Sequence, residues 1–229
     1  MVPFALEATL SALTSKVVGT ALPGVPTPAL GLPYPSLKQD SQVSKPNKTL
    51  IIYGGSSSVG SMATQIATAA GIRVISILGS RNFGLATDCG AVHTISRDDP
   101  ALVDKAVEAA RKFPQNEFVG IFDTISSPAT YEHDVKILKE LDGGGFICVH
   151  PPPVIADVPA KTNIKPAMIF AGREETSVVW EGFVTPALAC GQLKCLPQPH
   201  VVGKGLQHVQ EALELMKAGV SATKLVVEL

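Results

Sequence analysis

Thr49-Leu-Ile-Ile-Tyr53-Gly54-Gly55-Ser56-Ser57-Ser58-Val59-Gly60 is the stretch whose reading decides the fold. Five residues rich in β-branched and apolar side chains run into a glycine- and serine-rich turn, and the Ala-rich residues 58–70 follow with helical character. A buried strand that feeds a glycine-rich turn and a helix lets backbone N–H groups approach a pyrophosphate at the positive end of the helix dipole. Written as GxGxxG, the turn is Gly55-x-Ser57-x-x-Gly60, with serine at the middle glycine position. The strand–turn–helix context makes it a phosphate loop; the other reading is a tight turn whose serines cap the helix.

Outward from this stretch the pattern alternates. Strands are expected at 72–77, 91–95, 118–123 and 146–150, with a sixth at 167–171, and helices at 83–89, 100–112 and 128–140 between them. Strands apolar throughout, separated by helices, indicate a parallel sheet covered on both faces. The expected fold is therefore α/β, a Rossmann doubly wound parallel sheet. Residues 1–48 divide into an amphipathic helix over 4–19, with Leu6, Leu10, Leu13 and Val17 on one face, and a proline-rich connector. Residues 49–172 form the nucleotide-binding domain. Residues 173–229 form a tail of helix 178–192, strand 199–202, helix 205–218 and strand 224–227, the second helix carrying Leu206, Val209, Leu213 and Met216 at spacings of three, four and three. The Gly143-Gly-Gly145 run ends one helix and feeds the fifth strand.

The end of the second strand bears on which dinucleotide binds. An NAD site places an acid about 20 residues beyond the loop for the ribose 2′-hydroxyl, whereas an NADP site offers cationic and neutral donors to a 2′-phosphate. Here Ile77-Leu-Gly-Ser-Arg-Asn82 has no acid before Asp88. Arg81 supplies a planar donor fork and Ser80 and Asn82 neutral donors, with Arg97 beyond the third strand as a second cation. NADP(H) is the expected cofactor.

With 229 residues, 45% hydrophobic and 17% charged, and a formal net charge of −1, the chain can bury a core and has no basic footprint. Nucleic acid and anionic membranes are disfavoured as partners. The four cysteines form no CxxC pair and have no histidine at ligand spacing, so no metal site is expected. The apolar stretch near the start lacks a basic leader, and no run reaches the roughly 18–20 apolar residues of a membrane span. A cytoplasmic location is expected.

The motifs Gly54-Gly-Ser-Ser-Ser-Val-Gly60, Ser80-Arg-Asn82, Gly90-Ala91-x-His93, Phe122-Asp123, Gly143-Gly-Gly-Phe146 and Ala218-Gly-Val-Ser-x-x-Lys-Leu-Val-Val227 follow one another in a family order. In them the sequence resembles the medium-chain dehydrogenase/reductase superfamily, in its zinc-independent quinone oxidoreductase and enoyl reductase branch, and within that branch fungal zinc-binding-type oxidoreductases and trans-acting enoyl reductases. The resemblance implies that Ser56, Ser57, Ser58 and Val59 line the pyrophosphate, and that Ser80, Arg81 and Asn82 hold the 2′-phosphate. Asp123, Thr124, His150 and Pro151 would lie nearest the chemistry. It further implies that this chain begins where a GroES-like catalytic domain ends and keeps a small C-terminal remnant of the catalytic lobe. Family members often carry a tyrosine after the third strand, where this chain has Arg97.

The expected activity is NADPH-dependent reduction of an activated C=C (enoyl) or a quinone by hydride transfer, with a small molecule as substrate. A non-catalytic NADPH-binding or scaffold protein, or a reductase redeployed for a redox-neutral step in secondary metabolism, are the other readings. His150, at a strand end before three prolines, is the weak candidate for a proton donor and equally a loop residue bonded to backbone. Asp123 either contacts a nicotinamide ribose or caps its own turn. His93, His133, His200 and His208 read as structural or exposed, and no GxSxG elbow surrounds the serines. A homodimer through the sheet edge at the sixth strand is the expected assembly.

Overall fold

The structure is a computed structural model that describes residues 35–37, 47–112, 117–148, 162–166 and 180–229, with backbone alone at 146–148, 162–166 and 180–181. Six strands form one sheet: β1 (Lys48–Tyr53), β2 (Arg73–Leu78), β3 (His93–Ser96), β4 (Glu117–Asp123), β5 (Gly144–Cys148) and β6 (Thr162–Pro166). Their order is β3-β2-β1-β4-β5-β6 and every pairing is parallel. The chain therefore reverses its winding between β1 and β4, and the crevice at the carboxyl ends of those two strands is where such sheets bind ligands.

Parallel neighbours need crossovers, and helices supply them. α1 (Ser58–Ala69) joins β1 to β2, α2 (Phe83–Asp88) joins β2 to β3, α3 (Leu102–Arg111) lies between β3 and β4, and α4 (Pro128–Glu140) between β4 and β5. Because strand side chains alternate, β1 serves two cores. Leu50 and Ile52 pack with Met62, Ile66 and Phe183 on one face, while Ile51 and Tyr53 pack with Ala106, Val107, Ile137 and Leu138 on the other. Complete burial of side chains such as Ile51 and Ile75 contributes about 1.5–3 kcal/mol each. α4 starts in a capping box, the Ser127 hydroxyl accepting from Thr130 N while Thr130 Oγ1 accepts from Ser127 N, with Pro128 at its first position.

A π-helical turn (Trp180–Val184) leads into α5 (Thr185–Ala189), which replaces the single helix expected over 178–192: Pro186 cannot donate to the ladder of the preceding turn. Gln65 clamps this segment to α1, accepting from Lys194 N at 2.7 Å and donating to Lys194 O at 3.1 Å. A two-stranded parallel pair, β7 (Pro199–Lys204) and β8 (Lys224–Glu228), is bridged by α6 (Val209–Ala218). The periodic face of α6 is exposed: Leu213 and Met216 are 59% and 52% accessible, and Leu206 just before the helix 73%.

Two strand positions differ from expectation. β5 begins at Gly144, inside the glycine run, because Gly144 and Gly145 pair with Thr162 and Asn163 of β6. The sixth strand is Thr162–Pro166, and the expected 167–171 lies outside the described residues, as do the helix over 4–19, most of the connector, His150 and Pro151. No described helix is long and apolar enough to cross a membrane.

Candidate nucleotide-binding site

The loop between β1 and α1 is held from three sides. Gly54 N and Gly55 N both donate to Ile77 O, at 2.8 and 3.3 Å, which ties the loop to the end of β2. Gly54 takes φ +82°, a left-handed conformation that glycine adopts without a Cβ clash. Gly60 lets α1 start directly against this turn, since a Cβ there would stand 2.3 Å from Gly54 O.

Each serine of the loop has a separate task. Ser57 is the N-cap of α1: its hydroxyl accepts from Gly60 N at 2.9 Å, and its backbone N donates to Gly54 O at 2.9 Å. Its Oγ also lies 3.0 Å from Thr124 Oγ1, while Thr124 Oγ1 donates to Tyr53 O at 2.8 Å. Thr124 has one hydrogen, so with that hydrogen on Tyr53 O the Ser57 hydroxyl donates to Thr124. Ser57 thereby spends its side chain and its N–H on the loop itself. The N–H groups of Ser56, Ser58 and Val59 have no partner among the described residues, and all three residues are half-buried. They are the open donors at the N-terminus of a twelve-residue helix, the donor set that a pyrophosphate fits.

The end of β2 continues into a 3₁₀ turn, Ser80–Asn82. Asn82 Nδ2 donates to Ser56 Oγ at 3.4 Å and to Ser221 Oγ at 2.9 Å, joining the phosphate loop, the β2 turn and the α6–β8 loop. Arg97 N donates to Leu78 O, which places Arg97 beside this turn. Its Nε and Cζ lie 3.9 and 4.0 Å from the point where a Cβ on Gly79 would stand, and Asn82 Nδ2 is 4.0 Å from the same point. Arg97 pairs with Asp98 at 3.7 Å, a long and exposed contact. Ser80 and Arg81 are exposed on the same turn. Thus Asn82 bonds Ser56 and stands with Arg97 around Gly79, Ser80 and Arg81 lie exposed on the same turn, and the carboxylate described there is that of Asp98, paired with Arg97.

Asp123 takes the turn-capping alternative. It is fully buried; its Oδ1 accepts from Ile125 N and Ser126 N at 2.8 and 3.0 Å, and its Oδ2 accepts from Thr130 Oγ1 at 2.6 Å. Both oxygens are spent on the β4–α4 turn, so the cofactor-facing position expected for Asp123 gives way to a positioning one. Thr124, on that turn, reaches the phosphate loop instead.

Sequence reading missed the polar cluster beneath this turn. Asp134 of α4 is fully buried, and burial, together with the charge of Asp123 and a side-chain hydrogen bond to it, raises its pKa well above the usual carboxylate range. Burial pushes the Tyr53 phenol up to about 12, with Asp134 and Asp123 adding to the effect, and its hydroxyl bonds His133 Nδ1 at 3.1 Å. An aspartate in a helix reads as surface by residue type, which hid it although it shares the face of Leu138 four residues on. Ser221 was missed too: it lies 139 residues from Asn82, and only its family-like tail motif marked it.

No family model matches the chain. It is 56% identical over 227 residues to a dehydrogenase, orsE, of Emericella nidulans, covering 99% of this chain and 63% of the relative. It is 31% identical over 204 residues to a trans-enoyl reductase, himH, of Aspergillus japonicus, covering 87% and 56% respectively. The chain thus spans 56–63% of the length of these relatives. Solved enoyl reductases, quinone oxidoreductases and alcohol dehydrogenases share its fold. A mycobacterial protein complexed with NADPH superposes with TM-score 0.63 at 17% identity, over 97% of this chain and 64% of that one. Its strand order and glycine loop are those of a dinucleotide-binding Rossmann sheet, and over this span its sequence is similar to fungal dehydrogenases and a trans-enoyl reductase.

Proposed function

We propose that this chain binds NADPH and serves an NADPH-dependent reduction of an activated C=C or a quinone. The observation that carries the reading is the end of β2, where Asn82 and Arg97 both stand beside Gly79 and Arg81 is exposed on the same turn, at the place an NAD site gives to a carboxylate. The open N–H groups of Ser56, Ser58 and Val59 would hold the pyrophosphate. Ser80, Arg81 and Arg97 would hold the 2′-phosphate, with Asn82 beside it positioning the Ser56 hydroxyl. When bound, the nicotinamide supplies the hydride; the chain's own part is to orient it at the carboxyl ends of β1 and β4, through Thr124 and the loop it braces. One solved neighbour is complexed with NADPH, and one relative is named a trans-enoyl reductase; both support the reading.

The test is calorimetric titration with NADPH and NADH, followed by NADPH oxidation over a panel of small quinones and enones. NADPH preference with turnover is the expected result. Preference without turnover on any acceptor favours the NADPH-binding, non-catalytic reading. β6 forms one edge of the sheet, and we place the pairing of a second copy there. A strict monomer in light scattering removes that assembly.

A further inference from the structure

We propose that Ser221, on the loop between α6 and β8, is a specificity-determining residue for the ribose 2′-phosphate, closing the pocket that Ser56, Asn82 and Arg97 open. The proposal rests on the NADPH reading above and adds to it a segment from the opposite end of the chain.

The argument begins with the hydrogens of one amide. Asn82 Nδ2 carries two, and the two hydroxyls near it, Ser56 Oγ at 3.4 Å and Ser221 Oγ at 2.9 Å, both stand as acceptors because an amide nitrogen cannot accept. A hydroxyl that accepts from Asn82 keeps its own hydrogen to donate elsewhere. Neither hydroxyl has another partner among the described residues. Asn82 therefore leaves two serines, 165 positions apart in sequence, each with a hydrogen free to donate. The guanidinium of Arg97 reaches the same turn beside Gly79, with Asn82 Nδ2 close by. A cation flanked by neutral donors suits a phosphate monoester, whose three terminal oxygens accept several charge-assisted bonds. A ribose 2′-hydroxyl has no such demand.

The α6–β8 loop is shaped to present Ser221. Gly219 at φ +95° ends α6, and Ala222 takes φ +49°, which a residue with a Cβ rarely adopts. Thr223 Oγ1 donates to Ser221 O at 3.0 Å and Lys224 N donates to Gln198 O at 3.2 Å, anchoring the loop to the start of β7. Ser221 is exposed, so its replacement removes one hydroxyl without opening the core.

The experiment compares adenosine 2′,5′-bisphosphate with AMP, which differ by the 2′-phosphate alone, on the whole chain and on Ser221→Ala and Ser221→Thr. We expect the unmodified chain to favour the bisphosphate, Ser221→Ala to weaken the bisphosphate about tenfold with AMP unchanged, and Ser221→Thr to keep the preference. Discrimination by the parent chain that survives Ser221→Ala overturns the role of Ser221 and leaves the NADPH reading standing. Equal weakening of both nucleotides by Ser221→Ala also overturns it, by making Ser221 a support of the loop. If the parent chain binds the two nucleotides alike, the NADPH reading falls and the proposal with it.

Discussion

The hydroxyls of Ser57 and Thr124 lie 3.0 Å apart, and through them the turn after β4 braces the phosphate loop after β1. Thr124 in addition donates to Tyr53 O, and the Ser57 oxygen caps α1 at Gly60 N. The two strand ends that flank the switch point of the sheet are thus one hydrogen-bonded unit.

Thr124→Val removes the hydroxyl at nearly constant volume and leaves the Ser57 hydroxyl without its acceptor, while Tyr53 O keeps only the bond from the backbone N–H of residue 124. A loss of about 1–2 kcal/mol in stability is expected, since Thr124 is buried. Binding of NADPH and NADH should weaken by a similar factor, because both dinucleotides place a pyrophosphate on this loop. Thermal unfolding and paired titrations check this, and a loss confined to NADPH would contradict the assignment of Thr124 to the pyrophosphate end.

The end of β2 should respond in the opposite way. Among the described residues the Arg97 guanidinium pairs with Asp98 at 3.7 Å, an exposed contact that contributes little and is released readily. Arg97→Ala and Arg81→Ala are each expected to weaken NADPH about tenfold or more while changing NADH little. Equal losses for the two cofactors would remove the altered arginine from the 2′-phosphate site. The NADPH preference should also shrink as salt rises, as expected of exposed arginines meeting a phosphate.

Asp134 makes the fold sensitive to pH. Its folded-state pKa is raised by burial and by Asp123, above the ordinary carboxylate value it has when unfolded. Its contribution to stability is therefore fully present below the unfolded value and is lost as pH rises toward the folded one. Asp134→Asn abolishes that titration, so the variant should be more stable than the parent near pH 7 and little changed near pH 4. Denaturant unfolding at the two pH values measures the difference; a gain independent of pH would mean that Asp134 is not the titrating group. The charged and titratable groups around it are Asp123 of β4 and Tyr53 of β1, with His133 on α4 bonded to that phenol.

The layout of the sheet was legible in the sequence because it depends on local and periodic signals. Apolar strands, helical spacing between them and a glycine turn at β1 together imply a parallel doubly wound sheet, and the crossings between neighbours leave few topologies open. The absence of an acid at the β2 end was visible for the same reason: it is a matter of residue type at a fixed distance from the loop. Side-chain assignments were not, because they depend on partners far away along the chain. Which serine caps, which serine is left to donate, and whether Asp123 faces the crevice or its own turn were settled by Thr124, Asn82, Thr130 and Ser221, whose hydrogen bonds span 7 to 139 residues. A hydroxyl or carboxylate has a limited number of hydrogens and lone pairs, and folding allocates them. Composition and spacing name the groups at the site; the packing of β1, β2, β4 and the α6–β8 loop determines where each proton points.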